Sequence, residues 1–311
     1  MVAVSPDRNA ATTYACYGLT MASDVPLPEL IAAEHPEDGR AADVRISYGP
    51  VARDGLAGGR QIGPCCWVDA GRLWLRVPYV ARYLVSDGAS IVVEPEDGGD
   101  EDSVRSFLTT SGFAALLYQR GHLVFHGDAV GLGDRCLMCV GPSGAGKSTV
   151  AAALLLRGHR ILADDVVPVD AIGRVLPGLP RIKLWEDAAE QLDIATEGLQ
   201  RVRPVLRKYS LPGNDVLPAA PLALGWVYVL GTHQGSDTRI EAVTGMDRFR
   251  PLRDNTFRAR FMEGMDLEAE HLRLCGRLAG RVHVARVTRP EGGFDVEDLV
   301  AAILDDAAAN A

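Results

Sequence analysis

Aromatic side chains make up only 6% of this 311-residue chain, and long hydrophobic runs are missing. The longest apolar stretch, Val150 to Leu156, falls far short of the roughly 20 residues a membrane-crossing helix needs, so no membrane association is expected. Positive charge is also short: 32 Lys and Arg against 41 Asp and Glu leave a net charge of −9. That balance argues against general binding to nucleic acid or anionic lipid. The N-terminal MVAVSPDRNA has no charged start followed by an apolar core, so no secretory signal is expected. Six cysteines, Cys16, Cys65, Cys66, Cys136, Cys139 and Cys275, do not form a disulfide framework in a chain of this length. Cys136-Leu-Met-Cys139 has redox or zinc-like spacing, but no second Cys/His pair stands nearby to complete a metal site. A reduced, cytoplasmic protein is the expectation.

What is present is an Ala/Val/Leu/Gly-rich chain, 47% hydrophobic and 23% charged, which fits an α/β protein with close helix–sheet packing. Its length suits one large domain or two of ordinary size. The run EPEDGGDED (94–102) cannot pack into a core and reads as a surface loop or linker. Before it, ADVRISYGP, CWVDAGRLWLRVP, ARYLVSD and ASIVVEP are β-like pieces with glycine at the turns. They predict a small, mainly β N-terminal domain over residues 1–103, suited to substrate docking or scaffolding. Residues 104–311 then form a second, α/β domain. Spacing predicts a helix over 104–121, two strands meeting at a glycine turn (131–134), a helix ending at Gly158, and a strand through RILADDVVPVD. Further on, KLWEDAAEQLD (183–193) and 264–280 read as helical, 222–231 and 282–290 as strands, and the Ala-rich tail as a terminal helix.

The segment GPSGAGKST (141–149) matches GxxxxGK[ST] in full, with an apolar strand before it and a helix after it. Gly141, Ser143, Gly144, Ala145, Gly146, Lys147, Ser148 and Thr149 are the expected ATP-binding residues. The glycines let successive N–H groups curl inward toward phosphate oxygens, and the helix N-terminus adds partial positive charge. Lys147 neutralises β/γ oxygens and the Ser148 hydroxyl ligates Mg²⁺. Asp164 and Asp165 follow only sixteen residues after Ser148 and interrupt an apolar strand, where two idle carboxylates would be costly. One can ligate the metal while the other accepts a proton from the attacking group. His126, in VFHGDAV, is either a packed residue or a functional one, and Asp128 shares its strand face.

These residues, HGDAV, then GPSGAGKST fifteen residues after the histidine, then RGHRILADDVV, resemble the catalytic core of HPr kinase/phosphorylase and its relatives across roughly residues 105–170. The layout of the whole chain is similar to the HPr-kinase-like proteins found beside lasso-peptide biosynthesis genes, which share Tyr17-Gly18-Leu19, Leu27-Pro28-Glu29-Leu30 and PRIKLW (180–185). The resemblance implies a P-loop kinase domain using ATP and Mg²⁺, with a serine of a ribosomally made precursor peptide as acceptor. It implies Asp165 as general base, Asp164 and Ser148 on Mg²⁺, Lys147 on the β/γ-phosphates and His126 in support of the catalytic carboxylate. The glycine-rich signature that follows the Asp pair in the bifunctional enzymes is replaced by VVPVDAIGRVLPGLPRIKLW. Reverse phosphorolysis and the hexamer linked to it are therefore not carried over, and a homo-oligomer of some kind stays open.

Downstream, Arg181, Lys183, Arg201, Arg203, Arg207 and Lys208 make a basic interval in an acidic protein. A solvated helix face and a role near phosphates or an acidic peptide both fit, with Lys183 and Lys208 the favoured pair; Arg258 and Arg260 in NTFRAR are similar candidates. Competing with the serine kinase are an HPr-type or small-molecule kinase, a nucleotide-dependent binding protein, and a transporter-type ATPase. The last needs an LSGGQ-like signature and a more distant acidic strand, and neither is found.

Overall fold

The computed structural model describes residues 11–33, 41–213, 220–292 and 295–311; MVAVSPDRNA lies outside the described residues. Alternation of apolar and polar side chains builds the first sheet. Ala81, Tyr83 and Val85 point inward from one strand and Ile91 and Val93 from the next, while their neighbours face out. Among the described residues the sheet has nine strands: β1 (Thr12–Cys16), β2 (Leu19–Ser23), β3 (Ile31–Ala32), β4 (Val44–Tyr48), β5 (Arg60–Gly63), β6 (Cys66–Val68), β7 (Arg72–Val77), β8 (Ala81–Ser86) and β9 (Ser90–Pro95). Their order is β3-β1-β2-β4-β9-β8-β7-β6-β5.

The acidic run 94–102 is divided between elements. Its first two residues close β9, and the Asp100 carboxylate accepts the Ser103 N–H (2.7 Å) as N-cap of α1 (Glu101–Phe107). A π-helical turn, Leu108–Gly112, carries α1 into α2 (Phe113–Gln119). Leu108, Phe113 and Leu116 share one buried cluster with Tyr83 and Ile91 of the sheet. At the other end of the same cluster, β1 and β2 meet at Tyr17, whose N–H donates to Pro177 O (2.7 Å).

The second layer follows: β10 (Leu123–Leu132), β11 (Arg135–Val140), α3 (Lys147–Leu156), β12 (Ile161–Val169), β13 (Arg174–Val175), β14 (Arg181–Trp185), α4 (Glu186–Gln191), β15 (Lys208–Pro212), β16 (Leu222–His233), β17 (Arg239–Val243), α5 (Phe249–Asp254), α6 (Ala259–Gly264), α7 (Glu268–Ala279), β18 (His283–Pro290) and α8 (Val296–Ala309). Among the described residues seven strands order as β11-β10-β12-β13-β16-β18-β17, and β11 pairs a second time, parallel to β16. The antiparallel pair β14–β15 stands apart. Helices α3 and α8 cover one face through Val150, Leu154, Leu299 and Ile303, and α7 covers the other through Leu274 and Leu278. Strand alternation sends Leu137 and Cys139 to the first face and Cys136 and Met138 to the second. Cys136 and Cys139 therefore point to opposite sides of β11, as buried packing residues rather than a ligand pair; all six cysteines are free thiols.

One expectation changes. The segment 183–193 is not one helix: Lys183 to Trp185 belong to β14, and the helix begins only at Glu186. Helices α5 and α6 and strands β13, β15 and β17 carry periods too short to be read from sequence. Among the described residues, no helix is long and apolar enough to cross a membrane.

Candidate active site

The glycine loop runs from the end of β11 to the start of α3. Gly141, Gly144 and Gly146 take φ of 139°, 82° and 99°, values that favour glycine. A Cβ on Gly141 would meet Leu230 O of β16 at 2.4 Å, so the loop can turn here only without a side chain. No side chain caps α3, and its first N–H groups face the loop. Ser143, Gly144, Gly146, Lys147, Ser148 and Thr149 line a cavity of about 200 Å³. Ala145 instead turns its side chain into the core and donates its N–H to Pro142 O at 3.2 Å. Lys147 Nζ lies across the loop, donating to Gly141 O (3.0 Å) and Pro142 O (3.1 Å). Burial pulls this ammonium below its ordinary pKa, against the charges of Asp128 and Asp165.

The acids arrive on neighbouring antiparallel strands. In the β10–β12 register Asp128 faces Asp164 and Gly127 faces Asp165. Asp165 has φ 63°, in the left-handed region, a conformation costing a non-glycine residue on the order of 1–3 kcal/mol. Its Oδ2 accepts from Lys183 Nζ at 2.8 Å. Burial raises the Asp165 carboxyl, but the ammonium groups of Lys183 and Lys208 more than reverse this and hold it well below the usual carboxylate range. Asp164 moves the other way: burial and the charges of Asp165 and Asp128 push it up, favouring the protonated acid. Its Oδ2 accepts the Lys183 backbone N–H (3.0 Å), while its Oδ1 is buried without a hydrogen-bond partner.

Asp128, 1% exposed, joins the pieces. Its Oδ2 accepts from Ser148 Oγ (3.1 Å) and its Oδ1 from the Asp165 N–H (3.2 Å). Ser148 thus meets Asp128 directly. The donors here, a hydroxyl and carboxylates with one orphaned oxygen, are hard oxygens of the kind Mg²⁺ takes alongside phosphate oxygens. Among the described residues, no three His, Cys, Asp or Glu side chains form a self-contained metal cluster.

His126 Nδ1 lies 3.2 Å from the main-chain oxygen of Asp165, so it touches the backbone of that residue and not its carboxylate. Its ring stands 5.6 Å from the Phe257 ring. Of the basic interval, Lys183 and Lys208 face the site, Lys208 with its Nζ 5.7 Å from the Trp185 ring centroid. Arg181 turns to Glu29 (3.6 Å), Arg207 to Glu186 (2.8 Å), Arg203 to Ser103 (3.1 Å) and Arg201 to the Tyr209 ring. Arg258 lines a second cavity beyond His126, and Arg260 lies against Gly63. Two further residues complete the site. Arg289, at the end of β18, reaches Gly144 O at 3.5 Å, and Asp128 was legible only as a local partner of His126.

No family model matches the chain. It is similar to HPr kinase/phosphorylase of Clostridium beijerinckii, 29% identical over 171 residues that cover 45% of this chain and 57% of that protein. A shorter stretch of 49 residues is 47% identical to HPr kinase/phosphorylase of Prosthecochloris aestuarii, covering 16% of this chain and 14% of the relative. Over 50 residues it is 42% identical to the protein of that name from a Thermoanaerobacter species, 16% of each. The chain therefore spans little more than half the length of the first of these relatives and about a sixth of the others. Its likeness is to enzymes of the HPr kinase type.

Proposed function

We propose that this chain is an ATP-dependent kinase that transfers the γ-phosphoryl group to a serine hydroxyl of a ribosomally made precursor peptide. The observation that carries the reading is Asp165: a strained, ionised carboxylate held by Lys183 on the strand beside the Lys147–Ser148 end of the glycine loop. A fixed carboxylate of this kind suits an acceptor whose hydroxyl must be oriented for in-line attack.

The loop N–H groups and Lys147 bind phosphate oxygens. Ser148 and the Asp164 carboxyl, with Asp128 beside them, are the groups that would hold Mg²⁺, which when bound neutralises charge on the β- and γ-phosphates. Asp165 accepts a hydrogen bond from the serine hydroxyl and takes its proton as the new O–P bond forms and the bond to the ADP oxygen breaks. A carboxylate held so acidic is a weak base. That is tolerable because phosphoryl transfer through a loose transition state asks more for alignment than for early proton removal. His126 fixes the main chain of Asp165, and Lys183 fixes its carboxylate.

The motifs Tyr17-Gly18-Leu19 and Leu27-Pro28-Glu29-Leu30 favour a peptide acceptor of the lasso-precursor type, with the β-rich N-terminal region as its docking platform. An HPr-type acceptor would use the same catalytic groups. The test is incubation with γ-labelled ATP, Mg²⁺ and either the precursor peptide encoded nearest the gene or HPr. Labelled phosphoserine should form with the wild type and be lost in Asp165→Asn with ATP binding retained. Free phosphate released at full rate without any acceptor would overturn the kinase reading.

A further inference from the structure

Beyond His126, away from the glycine-loop cavity, lies a second cavity of about 580 Å³. One wall is Gly141 and Pro142, and the other is the segment 254–258 between α5 and α6. That segment takes the edge of β10 that β11 vacates when it turns into the loop. His126 N–H donates to Asn255 O (2.8 Å) and Phe257 N–H to Val124 O (2.9 Å). His126 lines both cavities, so the space beside residues 254–258 adjoins the cavity that Asp165 lines.

The polar side chains of this wall are engaged, except one. Asp254 is held by Arg250 (3.2 Å) and Arg253 (2.9 Å), the Asn255 amide donates to Pro251 O (2.8 Å), and the Thr256 hydroxyl meets His271 (2.9 Å). Arg258 has no such partner among the described residues. Its guanidinium lies over the Phe257 and Phe261 rings, 5.6 Å from each centroid, and its Nε is buried without a hydrogen bond. Its charged neighbour is another cation, Arg260, and burial with that neighbour lowers its pKa. The backbone of Arg258 sits at φ 46°, ψ 51°, the left-handed region that disfavours a long side chain. A strained, half-buried cation with no carboxylate beside it is costly unless a ligand brings the anion.

We propose that Arg258 binds a carboxylate of the acceptor and that the 580 Å³ cavity is the acceptor's subsite; this rests on the phosphotransfer reading above. The nucleotide's phosphates already have a cradle of loop N–H groups, Lys147 and Arg289 in the other cavity. In the second cavity the loop presents Gly141 and Pro142, whose carbonyl oxygens are taken by Lys147. Arg258 lines this cavity, and its guanidinium fork matches one carboxylate in charge and in its two parallel N–H donors. The carboxylate comes either from an acidic side chain next to the target serine or from a serine at the chain end.

Short fluorescein-labelled serine peptides distinguish these sources when bound to the full chain without ATP and read by anisotropy. One pair carries Asp or Asn beside the serine; the other ends in serine as free acid or amide. One acidic member should bind the wild type at least ~10-fold tighter than its neutral twin, and Arg258→Gln should erase that difference. Arg258→Lys, which keeps the charge without the fork, should retain part of it. Binding by no peptide, equal binding within both pairs, or discrimination that survives Arg258→Gln in a folded variant would each overturn the assignment. Discrimination that persists while the wild type transfers no phosphate would sink the kinase reading and leave the subsite standing.

Discussion

The Lys183 ammonium lies 2.8 Å from Oδ2 of Asp165, and the backbone N–H of the same lysine donates to Asp164 at 3.0 Å. One residue of β14 thus holds both members of the acid pair and divides them: the ammonium keeps Asp165 ionised, while burial leaves Asp164 raised. Substituting Lys183→Met removes the strongest of the charges that depress Asp165. The folded carboxyl then rises, so the acidic limb of the pH–rate profile moves to higher pH. Loss of positioning lowers kcat as well, on the order of 10²-fold. Steady-state rates from pH 4.5 to 8 check this; an unmoved acidic limb would show that Lys183 does not set the state of Asp165.

Asp128 ties Ser148 to Asp165 through its two oxygens, 3.1 Å and 3.2 Å away. Asp128→Asn keeps the shape but removes the charge nearest the Ser148 hydroxyl. Divalent-metal affinity in the presence of a non-hydrolysable ATP analogue should fall about 10–100-fold, the usual cost of losing a group that holds or orients a metal ligand. Mn²⁺ binding followed by paramagnetic resonance reads this without turnover. Unchanged Mn²⁺ affinity would leave Asp128 as a purely structural brace.

The glycine loop and the acid pair were legible because their signals are local: a full motif between strand and helix, then two aspartates inside an apolar strand. Lys183 was harder. The run KLWEDAAEQLD has helix-forming residues at its centre, and only pairing with Lys208–Pro212, more than twenty residues later, makes Arg181–Trp185 a strand. Asp128 looked like a local partner of His126 because its real contacts, Ser148 and Asp165, are 20 and 37 residues away. Of the wall at 254–258 only Arg258 stood out, as one of several basic candidates; its position was not legible, since the register is set by single bonds to β10 and not by its own periodicity. Non-local pairing decided each of these, and one sequence carries no trace of it.

Glu29, from the LPEL motif, is buried at 6% exposure between two guanidinium groups. Arg105 Nε stands at 3.0 Å and Arg181 Nη1 at 3.6 Å. Arg181 begins β14, two residues before Lys183, so this pair joins the N-terminal sheet to the strand that holds the acids. Removing the carboxylate takes from the buried Arg181 its ion pair, while Arg105 keeps Asp102 and Glu101; breaking a buried pair typically costs about 3–5 kcal/mol. Glu29→Gln should therefore lower the denaturant midpoint by a clear margin, whereas Asp237→Asn, in the exposed pair Arg239–Asp237, 56% and 55% exposed, should leave the midpoint essentially unmoved. Equal midpoints for Glu29→Gln and wild type would mean that the motif's glutamate does not brace β14.

His271 is 4% exposed, with Nε2 2.9 Å from the Thr256 hydroxyl and 3.4 Å from Cys275 Sγ. Burial lowers its pKa in the folded chain. Above about pH 6.5, the ordinary histidine value, the ring is neutral whether the chain is folded or not, and the folded state keeps its full stability. As the pH falls below that, the unfolded chain takes up a proton that the folded chain refuses. Stability then drains away until the folded pKa is reached, at a limiting slope of about 1.4 kcal/mol per pH unit for one group. Thr256 makes the isolated β-bridge to Phe125, so the loss is expected at the wall beside His126. Replacing the ring by an uncharged amide, His271→Asn, removes this proton uptake while the carboxylates that titrate in both proteins cancel. The drop in unfolding free energy between pH 7.5 and pH 5 should therefore be smaller in His271→Asn than in wild type, as measured by urea titration at each pH. An equal drop in both proteins would mean that this buried ring does not resist protonation.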